Sequence, residues 1–212
     1  NGSGKTTLFR ALAGLVKPAF GAVTINGAPA PESVQQCTAF AGLVPQDPAI
    51  ALYHETVRDE VLETIRNRRA LIGNRKSEIG NRLQAWGVSQ LASANPRDIS
   101  VGQQQRVAIA AMLAHEPPAW LLDEPTRGAD GASKAWLAAR LRRHADGAGA
   151  AIVATHDIES AARFATRVIE LESGAIRFDL PAREAFGHGG PMPTQVAQLV
   201  AGALTSEEVS RR

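Results

Sequence analysis

Three short stretches hold residue types that could do chemistry on a phosphate. The chain opens Asn1-Gly2-Ser3-Gly4-Lys5-Thr6-Thr7, and Gly4-Lys5-Thr6 closes the pattern G-x-x-x-x-G-K-[ST] of a phosphate-binding loop. Glycines there let backbone N–H groups wrap a phosphate, and the helix that follows points its positive end at it. Lys5 would pair with β- and γ-phosphates, and the Thr6 hydroxyl would ligate Mg²⁺. A bare Gly-Ser turn ahead of Lys-Thr would read the same, so the motif needs company. Trp120-Leu-Leu-Asp123-Glu124-Pro125 supplies it. An apolar run ending in two acids reads as a buried strand that delivers them to the carboxyl edge of a sheet, where ligands of open α/β sheets bind. Asp123 can hold the Mg²⁺ shell there, and Glu124 can polarise an attacking water as general base. Taken alone, the pair could equally be a strand end entering a polar loop. The third stretch is Ser100-Val101-Gly102-Gln103. A Ser hydroxyl and free N–H groups at a helix N-terminus form an anion site, and Gln103 is placed to complete a capping box.

The elements that must carry these residues alternate along the chain. A helix is expected from Gly4, with Leu8, Leu12 and Leu15 at helical spacing and Gly14 and Pro18 stopping it. Gly21 to Ile25 reads as a strand ending in the Asn26-Gly27 turn, and a second apolar run, Thr38 to Val44, stops at Pro45-Gln46. Val57, Val61, Leu62 and Ile65 share one helical face, and Ile79, Leu83 and Trp86 share another before Gly87. Ala119 to Leu122 and Ala150 to Ala154 are almost wholly apolar, as strands buried on both faces are. Arg167 to Glu172, Ser173-Gly174 and Ala175 to Phe178 read as a β-hairpin, and the tail after Pro181 as mostly helical, interrupted at Gly187 to Pro191. Strands alternating with helices predict an α/β fold around a mainly parallel sheet, with a helical insertion between about Asp47 and His115.

Composition sets the outer limits. With 212 residues, 44% of them hydrophobic, the chain suits one domain, or one domain with a small appendage. Lys and Arg number 23 against 21 Asp and Glu. That excess leaves no dense basic field to hold a nucleic acid by charge alone. A single cysteine, Cys37, excludes an internal disulfide framework and fits a reducing compartment. The longest apolar run, Val107 to Ala114, falls far short of the ~18–20 residues that span a bilayer, so a soluble protein is expected. No signal peptide is visible, and an opening in mid-motif at Asn1 predicts a fragment whose N-terminal part is missing.

With these residues in order, a family resemblance becomes specific. Ile99-Ser100-Val101-Gly102-Gln103 resembles the L-S-G-G-Q signature of ATP-binding cassette (ABC) ATPases, and Gln103 stands 20 positions before Asp123, similar to the family spacing. The resemblance covers about Asn1 to Asp179 and implies an ABC-type P-loop fold, truncated at its N-terminus, with ATP and Mg²⁺ as cofactors. It implies that Asn1 to Thr7 bind ATP, and that Ser100, Val101, Gly102 and Gln103 complete the site of a partner ATPase domain. Gln46 resembles the Q-loop glutamine that senses Mg²⁺ and the γ-phosphate, so Thr6, Gln46 and Asp123 form the implied metal set. Asp130 resembles the D-loop aspartate, and His156 the switch histidine, catalytic beside Glu124. His54, His115, His144 and His188 lack such context and read as structural. Residues 180–212 read as a C-terminal helical extension.

A narrower resemblance runs through Pro45-Gln-Asp-Pro48, Thr56-Val-Arg-Asp-Glu-Val61, Asp123-Glu-Pro-Thr-Arg-Gly128 and Pro191-Met-Pro-Thr-Gln-Val-Ala-Gln198. These are similar to ATPases of energy-coupling-factor (ECF) importers. The expected function is then the ATP-hydrolysing subunit of a membrane importer, taking up a vitamin or metal ion, at the cytoplasmic face of the membrane. Its implied partners are a second ATPase (homodimer, heterodimer or fused half), a transmembrane scaffold and a substrate-binding membrane subunit, with no nucleic acid. One alternative is a soluble ABC ATPase acting on ribosomes or DNA, whose charged linker or long coiled coil is not seen here. Another is a non-hydrolytic ATP-binding module, against which Glu124 and His156 argue. Val101 replaces a signature glycine, and it costs little only if the backbone there stays near helical φ.

Overall fold

The computed structural model describes residues 2–47, 50, 52–72 and 79–195. The expected ligand Asn1, Pro48 and the tail from 196 onward lie outside the described residues. Helix α1 (Lys5–Leu12) starts after Gly4, whose φ of 94° no L side chain adopts easily, and no side chain caps it. Its N-terminal N–H groups therefore remain available to a ligand. The expected Leu8, Leu12 and Leu15 face is not the one that packs. Phe9 and Ala13 are buried, while Leu8 and Leu15 are 43% and 50% exposed. All these positions fit a helical stripe, and only the direction of the sheet decides which stripe turns inward.

The expected Gly21 to Ile25 strand shrinks to β1 (Thr24–Ile25), paired antiparallel with β2 (Ala28–Pro29) around Asn26-Gly27. Both turn residues have positive φ, as a two-residue hairpin requires. The apolar run at Thr38 to Val44 divides. Ser33 caps α2 (Val34–Phe40) by accepting the Gln36 N–H, and the strand β3 (Ala41–Val44) begins only where the helix ends. Between β3 and β4 the chain forms α3 (Val57–Ile72), α4 (Ile79–Ala85), a 3₁₀ turn at Ser89–Leu91 and α5 (Val101–Leu113).

A parallel sheet of order β3-β4-β5 joins β4 (Ala119–Asp123) to β3 on one side and β5 (Ala150–Ala154) on the other. Alternation along β4 sends Trp120 and Leu122 into one core and Leu121 into another. The first core includes Val57 and Val61 of α3, Trp86, and Val107, Ile109 and Leu113 of α5, so the inserted helices share it with the sheet. The second packs Leu121 with Phe9 and Ala13. The expectation that β5 is buried on both faces is not met. Ile152 is 46% exposed, since β5 is the outer strand of this sheet among the described residues. Helix α6 (Gly131–Asp146) and α7 (Ile158–Ala161) flank β5 in sequence, and the predicted hairpin forms as β6 (Arg167–Glu172) and β7 (Ala175–Pro181), followed by α8 (Ala182–Phe186).

One face of α6 carries Trp136, Arg140 and His144 at four-residue spacing. The Arg140 guanidinium lies 4.1 Å from the Trp86 ring centroid, and His144 stacks on Trp120 at 3.8 Å. Burial holds the His144 imidazole below its ordinary value, against the Pro118 carbonyl bound to its Nε2. The unfolded chain therefore takes up a proton near the usual pH of about 6.5, and the folded chain resists it. Stability should fall as pH drops through that value. Urea unfolding at about pH 7.5 and about pH 5.5 should show a smaller loss in His144→Phe than in the parent.

Candidate active site

Parallel strands end at one edge, and register fixes which residues meet there. Val44 pairs with Leu122 and Asp123 with Ala154, so Gln46, Asp123-Glu124 and Thr155-His156 all follow strand ends on the same side. The N-terminus of α1 lies against that edge. Together they enclose a cavity of about 670 Å³, lined by residues 2–7, Gln46, Asp123, Glu124, Thr126, Arg127, His156 and Asp157. The expected phosphate, metal and switch residues that are described here are thus brought together.

Asp123 is 5% exposed, and a carboxylate so buried needs a partner. The Thr6 hydroxyl donates to its Oδ2 at 2.6 Å. Lys5 Nζ donates to Ser3 Oγ at 2.8 Å, which folds the lysine back over its own loop. His156 Nε2 lies 3.3 Å from Glu124 Oε1, and the His156 backbone N–H donates to Glu124 Oε2 at 3.3 Å. Oε1 is nonetheless buried without an aligned hydrogen bond, an acceptor held ready for a donor. Glu124 itself sits at φ 50°, a left-handed conformation costly for a residue with a Cβ. Its N–H donates to the Ala154 carbonyl at 2.8 Å, which fixes this turn at the strand end.

Thr6 and Asp123 present hard oxygen atoms at one point, the donor chemistry that Mg²⁺ accepts, with Gln46 on the same wall. Among the described residues no three His, Cys, Asp or Glu side chains cluster as a metal cage. A divalent ion held here would take its other ligands from phosphate and water, as Mg²⁺ commonly does.

Ser100 to Gln103 do not line this cavity, though Val101 lines an adjoining one that shares Thr6, Gln46, Asp123 and Arg127 with it. Ser100 caps α5, and the predicted capping box is complete: Gln103 N–H donates to Ser100 Oγ, and Ser100 N–H donates to Gln103 Oε1 at 3.0 Å. Val101 is the first helical residue and is absent from the positive-φ residues, so the valine carries no backbone strain. It is 62% exposed, and a Cβ at Gly102 would meet nothing within 4 Å. Asp130 likewise lies off the cavity and caps α6, accepting the Ser133 N–H at 2.7 Å, a bond that holds its carboxyl below the usual range. Sequence reading missed Thr126, Arg127 and Asp157. Thr126 and Arg127 stand inside the Asp123 to Gly128 motif without a role assigned to them, and Asp157 directly follows His156, with Asp157-x-x-Ser160 reading as a cap for α7.

Residues 1–127 match the family model of the ABC transporter. A putative ABC transporter ATP-binding protein of Streptomyces avermitilis is 39% identical over 202 residues, 95% of this chain, and the chain spans only 35% of that relative's length. An energy-coupling factor transporter ATP-binding protein of Methanothermobacter thermautotrophicus is 33% identical over 179 residues, 83% of this chain and 58% of that one. Among solved structures, cbiO1 from Clostridium perfringens, part of the ABC transporter complex cbiONQ, superposes with a TM-score of 0.75 at 28% identity, over 88% of this chain and 76% of its own.

The left-handed backbone at Glu124 gives a direct test. At an ordinary site alanine is more stable than glycine by roughly 0.5–1 kcal/mol. At position 124 the order should invert, with Glu124→Gly more stable than Glu124→Ala by about 1 kcal/mol in urea unfolding.

Proposed function

The chain belongs to the ABC transporter family, and from that premise we propose that it binds and hydrolyses Mg-ATP to power a membrane importer. The observation that carries this reading is the meeting of Thr6, Asp123, Glu124 and His156 at one cavity beside the N-terminus of α1. Backbone N–H groups of residues 2–7 cradle the phosphates, with Lys5 turning from Ser3 to the β- and γ-oxygens. Thr6, Asp123 and Gln46 would hold the Mg²⁺ shell, and a bound ion would supply neutralisation of the phosphate charge. Glu124 accepts a proton from the attacking water, and His156 orients that carboxylate from 3.3 Å.

Ser100, Val101, Gly102 and Gln103 do not line this cavity, which supports a role in completing the phosphate site of a second ATPase domain. Asp130 would lie at the same junction. In this reading residues 1–179 are the ATPase domain, with a helical subdomain over about 47–115, and 180–212 are an extension. The finer assignment is an ECF-type importer of a vitamin or metal ion, with a transmembrane scaffold and a substrate-binding membrane subunit. Its support is the similarity to the energy-coupling factor transporter ATP-binding protein of Methanothermobacter, the membership of cbiO1 in the transporter complex cbiONQ, and the motifs around Gln46 and Gly128. The protein would work as a peripheral subunit at the cytoplasmic face. Among the described residues no helix is long and apolar enough to cross a membrane.

In the intact natural protein, Glu124→Gln should keep ATP affinity and lose at least the ~10²–10⁴-fold in turnover typical of a general base. Steady-state phosphate release near the parent rate would reject the assignment. The same variant, saturated with ATP, should dimerise with itself or its natural partner in light scattering, because hydrolysis no longer releases the shared nucleotides.

A further inference from the structure

Asp157 sets an electrostatic problem. It is among the residues that line the cavity beside residues 2–7, so its negative charge lies close to the space where a polyphosphate would lie. Its charge is answered from one side. Lys134 Nζ donates to Oδ2 at 2.7 Å, Ser160 Oγ donates to Oδ2 at 2.6 Å, and Ser160 N–H donates to Oδ1 at 2.9 Å. Burial pushes the Asp157 carboxyl up, and the Lys134 and Ser160 hydrogen bonds outweigh it and hold the group below its usual range. Lys134 and Asp157 side chains are 32% and 25% exposed, so water screens the pair less than a surface ion pair.

The same contact ties elements together. Lys134 stands in the first turns of α6, after the Asp130 cap, and Asp157 follows His156 directly. The Asp157 N–H donates to Thr155 Oγ1 within the segment 155–157, and the His156 N–H ties that segment to Glu124. Helix α6 is held in turn to α5, where Arg106 donates to Ser133 Oγ at 3.2 Å. Polar contacts, joined by the covalent chain at 133–134 and 156–157, therefore connect the helix that Ser100 caps to the Glu124–His156 pair.

We infer that Lys134 is a positioning residue for ATP hydrolysis: it neutralises Asp157 so that the polyphosphate can enter, and it fixes the segment that presents His156 to Glu124. The inference rests on the hydrolytic reading above. A role confined to holding α6 in place would need only packing, whereas this one needs the positive charge. The two are separable because asparagine caps a helix as well as aspartate does, so Asp157→Asn removes the charge and keeps the α7 cap.

The test is steady-state Mg-ATP hydrolysis by the intact natural protein. Lys134→Met should raise KM about tenfold and lower kcat, with the melting curve little changed, since an unanswered carboxylate then lies close to the phosphates. Adding Asp157→Asn should return KM to within about twofold of the parent, and Lys134→Arg should recover both parameters. If Lys134→Met unfolds the protein, Lys134→Gln keeps a hydrogen-bond donor and should show the same rise in KM. An unchanged KM in the Lys134 variants, or a double variant no better than Lys134→Met, overturns the inference. Parent activity and its loss in Glu124→Gln are measured alongside. If the parent does not hydrolyse ATP, the hydrolytic reading falls and takes this inference with it. If hydrolysis is present but indifferent to the charge at 134, only the inference falls.

Discussion

The parallel pairing of β4 on both sides is the constraint from which the site follows. Trp120, Leu121 and Leu122 are buried between two strands and two layers of helix, so their backbone groups can be satisfied only by the ladder. The ladder fixes register, and register fixes that three strands stop at one level. A slip of one residue would exchange Leu121 for Leu122 between cores and turn Asp123 away from Thr6. The chemistry at the edge is thus specified by packing several residues away from it.

That edge is costly to build. A nearly buried Asp123, a Glu124 in a left-handed turn and a half-buried Asp157 bring three acids into one cavity. Each has its own compensation: the Thr6 hydroxyl, the backbone bonds to Ala154 and His156, and the Lys134 ammonium. Lys5 and the open N-terminus of α1 add positive potential to the same cavity.

Much of this was legible because the informative residues stand where a periodic pattern stops. Asp123-Glu124 after an apolar run, His156 after another and Ser100 with Gln103 could each be located from spacing, and each lies where spacing put it. What could not be read depends on neighbours distant in sequence. Leu8 and Leu15 fit a helical stripe as well as Phe9 does, and only the position of Leu121 chooses between them. Thr38 to Phe40 read as strand because apolar residues are ambiguous over so short a run, and the Ser33 cap decided for helix. Exposure of Ile152 is set by the place of β5 in the sheet, which no local pattern encodes. Asp157 was passed over because its partner, Lys134, is 23 positions away. The left-handed turn at Glu124 leaves no mark in a residue type that rarely adopts it.

The aromatic seam has a consequence for anyone watching this protein by light. Its three tryptophans, Trp86, Trp120 and Trp136, gather with ring centroids 5.3 and 6.4 Å from Trp86, and Trp86 and Trp120 are essentially sealed from solvent. No tryptophan lines the phosphate cavity. Intrinsic emission is therefore a single-locus signal, blue-shifted while the inserted helices, β4 and α6 stay docked and red-shifted when they part. Nucleotide arriving at Lys5 is invisible to it unless the seam itself moves. A fluorophore placed at the mouth of the cavity would be needed to report occupancy, leaving the native tryptophans as an independent gauge of the core.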